Sequence, residues 1–90
     1  MDVNRALRTA TKTGEVRFGI SQARKAVEGR QGKLIVLASN CPAKDLREQR
    51  AIPVMEFPGN SIELGAACGK PFAVSVATIV SAGESQILSK

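Results

Sequence analysis

Leu34-Ile35-Val36-Leu37-Ala38 is apolar at every position. A strand with one wet face alternates polar and apolar residues. An unbroken apolar run implies burial on both faces, at the centre of a sheet. The basic turn Gly29-Arg30-Gln31-Gly32-Lys33 leads into this run, and Ser39-Asn40-Cys41-Pro42 stops it. A sheet covered on both faces needs helices on both sides, and the flanking sequence supplies them.

Upstream, Val3, Ala6, Leu7 and Ala10 have the spacing of an amphipathic helix, with Arg5, Arg8 and Lys12 off the stripe and Gly14 at its end. Val16-Arg17-Phe18 alternates as a short strand, broken by Gly19. A second helix is expected over residues 21–28, with Ile20, Ala23, Ala26 and Val27 on one face. Downstream, residues 43–50 read as a charged helix whose one strong apolar anchor is Leu46. Residues 52–57 read as a strand, with Pro53 near its start, where a missing N–H is tolerated. After the turn Pro58-Gly59, Asn60 and Glu63 have capping-box spacing and open a helix that continues through Leu64 and Ala67 to Gly69. Residues 74–80 are β-branched and alternating, a last strand, and Gly83-Glu84-Ser85 is a turn. The order α-β-α-β-α-β-α-β predicts an α/β fold with helices on both faces of a mostly parallel or mixed sheet. Ligands of such sheets meet the loops at one end of the strands. The candidate loops are residues 18–22, 38–42 and 69–74.

Ninety residues, 43% hydrophobic and 23% charged, are the dimensions of one ordinary soluble domain. They exclude a disordered tail, a collagen and a membrane protein. The charged N-terminal stretch MDVNRALRTA lacks the apolar run of a secretion signal, so a cytoplasmic location is expected. With no histidine, imidazole catalysis and ligation are excluded. Cys41 and Cys68 cannot close a zinc site alone, and in a cytoplasmic protein they are not expected to form a disulfide. Each reads as a small buried or half-buried side chain, and no cofactor is expected.

The basic excess is uneven. Residues 1–50 hold eleven Lys and Arg against five Asp and Glu, whereas residues 51–90 hold two against three. A basic half suits a polyanionic partner, of which RNA is the commonest soluble kind. Gly65-Ala66-Ala67-Cys68-Gly69-Lys70 invites comparison with a phosphate loop, but the glycines stand one residue too close. Pro71 also occupies the place of the metal-binding Ser or Thr. Gly65 is expected instead to let a helix pack closely on a neighbour. Cys68 has no histidine to activate it, and Glu56 and Glu63 have structural roles, so an enzyme is not expected. Gly19-Ile20-Ser21-Gln22-Ala23-Arg24-Lys25 carries more. A glycine lets a ligand approach the backbone, and the helix after it opens with free N–H groups. Ser21 and Gln22 hydrogen-bond, and Arg24 and Lys25 add charge within one turn.

Phe18-Gly19 with its Ser/Gln/Lys helix stands first in a longer series. It is followed by Lys33-Leu34-Ile35-Val36-Leu37-Ala38-Ser39-Asn40-Cys41-Pro42, Ile52-Pro53-Val54, residues 60–69 around Glu63-Leu64-Gly65, and Ile79-Val80-Ser81-Ala82-Gly83-Glu84-Ser85. In this series the chain resembles the ribosomal L7Ae family of kink-turn RNA binders, and within it the large-subunit ribosomal branch of archaea and eukaryotes. The resemblance implies a three-layer α/β/α sandwich around a four-stranded mixed sheet, in a single RNA-binding domain over residues 1–90. It also implies a structural role in the large ribosomal subunit, where the domain recognises a kink-turn-like internal loop of ribosomal RNA. Neighbouring large-subunit proteins would be further partners; neither a membrane nor a small-molecule substrate is implied.

By the same resemblance, Gly19, Ser21, Gln22 and Lys25 meet guanines of tandem sheared G·A pairs, and Asn40 sits at the central strand end. Lys70, Phe72 and Val74 belong to the loop that meets an extruded base. Ser21 and Gln22 stand where generalist kink-turn binders carry Asn and Glu, which suits the ribosomal branch better than a stand-alone binder of other ribonucleoproteins. A small nucleotide-binding α/β protein would need the phosphate loop that this chain lacks. Residues 41–53 form a shorter crossover than the family usually has. Either the helix is truncated there or residues are missing between Arg50 and Ala51.

Overall fold

The apolar run becomes β2 (Leu34–Leu37), buried at every residue, in a computed structural model that describes residues 3–81 and Gly83. It is joined by β1 (Glu15–Phe18), β3 (Val54–Glu56) and β4 (Val76–Ser81) in one sheet of order β1-β4-β2-β3. β4 pairs antiparallel with both β1 and β2, and β2 pairs parallel with β3. The sheet is therefore mixed and four-stranded, with β2 and β4 interior.

Period-two alternation sends neighbouring side chains to opposite layers. Leu34 and Val36, with Ala77 and Ile79 of β4, pack on α1 (Val3–Thr13) and α4 (Ser61–Ala67) through Ala6, Leu7, Ala10, Leu64 and Ala67. Ile35, Leu37 and Val76 face the other way. They pack on Ala23 and Ala26 of α2 (Ile20–Gly29) and on Leu46 of α3 (Lys44–Glu48). This is the expected α/β/α sandwich. Cys41 and Cys68 are both buried and free.

Asn60 accepts from the Glu63 N–H while Glu63 accepts from the Asn60 N–H, closing the expected capping box on α4. The crossover helix departs from expectation. It covers Lys44–Glu48 rather than residues 43–50. Gln49 turns extended, and its side-chain amide donates to the Ile52 carbonyl at 2.7 Å while accepting from the Ile52 N–H at 3.0 Å. That pair of hydrogen bonds spans Arg50-Ala51, and Pro53 disfavours helix at the residue before it. The crossover helix is thus three residues shorter than expected. β4 also starts later than expected, at Val76, because the Val74 N–H is committed to the Ser61 carbonyl at 2.9 Å. The turn expected at residues 83–85 lies outside the described residues except for Gly83.

Strand directions position the loops. β1 and β2 both oppose β4, and β3 follows β2, so β1, β2 and β3 all run the same way. Their C-terminal ends meet the start of β4 at one end of the sheet. All three candidate loops are there.

Candidate nucleic-acid interface

Gly19 closes β1 and caps α2 at φ 103, a conformation that L side chains rarely adopt. Its N–H donates to the Val76 carbonyl at 3.0 Å, which fixes the turn against the start of β4. No side chain caps α2, so its first-turn N–H groups are left for a ligand. Ser21 and Lys25 are exposed, one helical turn apart, and Gln22 is half-buried.

The facing loop is strapped to α4. The Lys70 N–H donates to the Gly65 carbonyl at 2.9 Å, and the Phe72 carbonyl lies so close over Gly65 that no side chain fits there. This is the close approach expected of Gly65. Strapping the backbone this way turns Phe72 outward, 54% exposed. Phe18, Gly19, Ile20, Ser21, Phe72 and Val74 then line one cleft of about 440 Å³. Lys70 adjoins it, its ammonium 5.1 Å from the Phe18 ring centroid. Asn40 stands at the end of β2, its Oδ1 accepting from the Ser61 N–H at 2.9 Å and its amide reaching Ser61 Oγ at 3.4 Å. It ties the central strand end to α4.

The rest of the surface offers little chemistry. Burial pushes the Cys68 thiol up to about 11, so it is protonated at neutral pH and a poor nucleophile. No group of three or more His, Cys, Asp or Glu among the described residues is placed to hold a metal. No helix among them is long and apolar enough to cross a membrane.

The model of the ribosomal protein L7Ae/L30e/S12e/Gadd45 family matches residues 1–89. The chain belongs to this family. Similar proteins include the large ribosomal subunit protein eL30 of Methanosarcina mazei, 44% identical over 99% of this chain and 88% of its own. That of Methanosphaerula palustris is 45% identical over 99% and 96%. That of Methanococcus maripaludis is 45% identical over 99% and 90%.

For this L7Ae/L30e-family chain the expected site residues divide. Gly19, Ser21, Phe72 and Val74 line the common cleft, Lys70 borders it, and Asn40 lies one strand away. Two depart from expectation. Val74 is 2% exposed and packs in the core, so its side chain offers a ligand almost no surface. Arg24 turns to the α3 side, where Nε and Nη2 donate to the Asp45 carboxylate at 3.0 and 3.1 Å. That hydrogen bond raises the Arg24 pKa and lowers that of Asp45. Phe18 and Ile20, inside the candidate loop 18–22 but not among the expected site residues, form part of the cleft wall. Ile62, off the Leu64–Ala67 stripe, is 70% exposed at the start of α4.

Proposed function

We propose that this chain is a structural protein of the large subunit of the cytoplasmic ribosome. It holds a kink-turn-like bent internal loop of ribosomal RNA, beside neighbouring large-subunit proteins. The names of its relatives support the ribosomal assignment. One observation carries the RNA reading, namely that the Gly19 turn and the exposed Phe72 share a single cleft. Bases in an internal loop expose edges that a regular A-form duplex hides. Ser21, Gln22 and the open N–H groups of α2 are suited to those edges. Phe72 offers a splayed base an apolar surface, and Lys25, Asn40 and Lys70 border the phosphates and sugars around it. Nothing in this arrangement performs covalent chemistry.

Titrating a labelled kink-turn RNA and a straight duplex of equal length tests the reading. The kink-turn is expected to bind more tightly. With about five phosphate contacts, log K should fall against log salt with a slope of roughly −4. Phe72→Ala should weaken binding by about tenfold or more, the loss of a stacked base. Phe57→Ala, in the core, should leave the affinity of the folded fraction unchanged. Equal affinity for both RNAs, or equal losses for both variants, would refute it.

A further inference from the structure

α1 carries Arg5, Arg8 and Lys12 on its solvent side and no acidic residue between Val3 and Thr13. Spacings of three and four residues place the three cations along one face, over about 10 Å of helix axis. The row does not stop at the end of α1. Arg8, Thr11, Lys12, Cys68, Gly69 and Lys70 line one surface cleft of about 420 Å³. The Arg8 guanidinium lies beside Gly69 at the α4 terminus, its Nη2 donating to the Ala66 carbonyl at 3.5 Å. Lys70 thus belongs to this cleft and also sits over Phe18, at the border of the cleft that holds Phe72.

Among the described residues neither Arg8 nor Lys12 has a carboxylate within ion-pair distance, whereas Arg17, Arg24 and Arg47 each have one. Glu63 lines the neighbouring cleft with Arg5 and Arg8, and its Oε1 accepts from the Asn60 N–H in the capping box.

We infer that Arg5, Arg8, Lys12 and Lys70 form a phosphate track, along which a duplex stem leaving the bent loop continues over α1. This rests on the kink-turn reading above. The row presents cations and a hydroxyl but no exposed aromatic ring, which suits phosphates and not bases. A-form stems are held through their backbones. Continuity selects RNA as the occupant, because a strand filling the Phe18–Phe72 cleft meets Lys70 first and the α1 cations next.

The experiment compares wild type with the Arg8→Ala/Lys12→Ala double variant. Both substituted residues are exposed, and alanine favours helix. One RNA is a kink-turn with stems of roughly four base pairs. The other has stems of roughly twelve, which at about 3 Å per pair exceed the 27 Å longest dimension of the protein. On the long RNA the variant should bind at least about fivefold more weakly, and its salt slope should be shallower by about 1.5. On the short RNA the two proteins should differ by less than about twofold. A Lys44→Ala/Arg50→Ala protein, losing the same charge on the α3 side, should match wild type on both RNAs. Wild-type affinity of the Arg8/Lys12 variant on the long RNA would overturn the track and leave the row to an acidic protein neighbour. Equal losses on short and long RNA, or equal losses in the Lys44/Arg50 protein, would overturn it too. Wild type with no preference for the kink-turn over straight duplex would overturn the track together with the reading beneath it.

Discussion

α4 begins at Asn60, whose side chain and Glu63 satisfy each other's backbone N–H groups, and it buries Leu64, Gly65 and Ala67 in seven residues. α3 begins at Ala43, which caps nothing, and it buries Leu46 alone in five. Both helices follow parallel strands that end on the side of the sheet where the candidate loops gather. The first is specified within its own sequence. The second is held from outside, by Leu46 in the core, by Arg24 reaching Asp45 and by Arg47 reaching Glu56. Exposed ion pairs hold weakly, so nearly all of α3 hangs on one side chain. Two of the three candidate loops, around Asn40 and Phe72, lean on α4, and the weakly specified helix shares the opposite layer with α2.

Leu46→Ala tests that contrast with the largest expected effect. The side chain is 1% exposed, and its loss should cost about 3 kcal/mol in urea unfolding. A loss below about 1 kcal/mol would mean that the ion pairs carry α3. Gly65→Ala attacks the other helix where the Phe72 backbone crosses it. Overpacking should cost about 2 kcal/mol and, unlike Leu46→Ala, should weaken RNA binding by the folded protein. Full RNA affinity in that variant would show that the loop does not depend on this approach. Asn60→Ala should cost about 1 kcal/mol, seen as a thermal midpoint lower by about 4–8 °C. Asp45→Asn should have the smallest effect. Asp45 has its pKa lowered by Arg24 from an ordinary 3.8, so the contribution of the pair exists above that pH and is lost as pH falls through the lowered value. At neutral pH, raising the salt should erase any difference between Asp45→Asn and wild type.

The same contrast explains what could be read from the chain. The capping box, the buried strand and the close-packing role of Gly65 were all legible, because each is written in neighbouring residues. The strand ends that gather the loops followed from the alternation of helix and strand. The length of α3 was not legible. Lys44 to Arg50 has helical composition, and nothing local reveals that Gln49 will spend its amide on Ile52. The burial of Val74 was not legible for a related reason. A β-branched residue two positions after Phe72 reads the same whether it points out or in, and the hydrogen bond from its N–H to the Ser61 carbonyl accompanies its inward turn. The diversion of Arg24 to Asp45 spans 21 positions and carries no sequence signature.

The place of β4 between β1 and β2 has a consequence for biosynthesis. Among the described residues β4 is the last strand made, yet it is the only partner of β1 and the only antiparallel partner of β2. A nascent chain released through α4 has a helix and a strand at its start with no sheet to join. Loop closure over more than sixty residues must precede the pairing of Val16 with Ile79. The Phe18–Phe72 cleft straddles that junction. A half-made chain therefore has no such cleft, and whatever ligand the cleft takes must wait until residue 81 has left the exit tunnel.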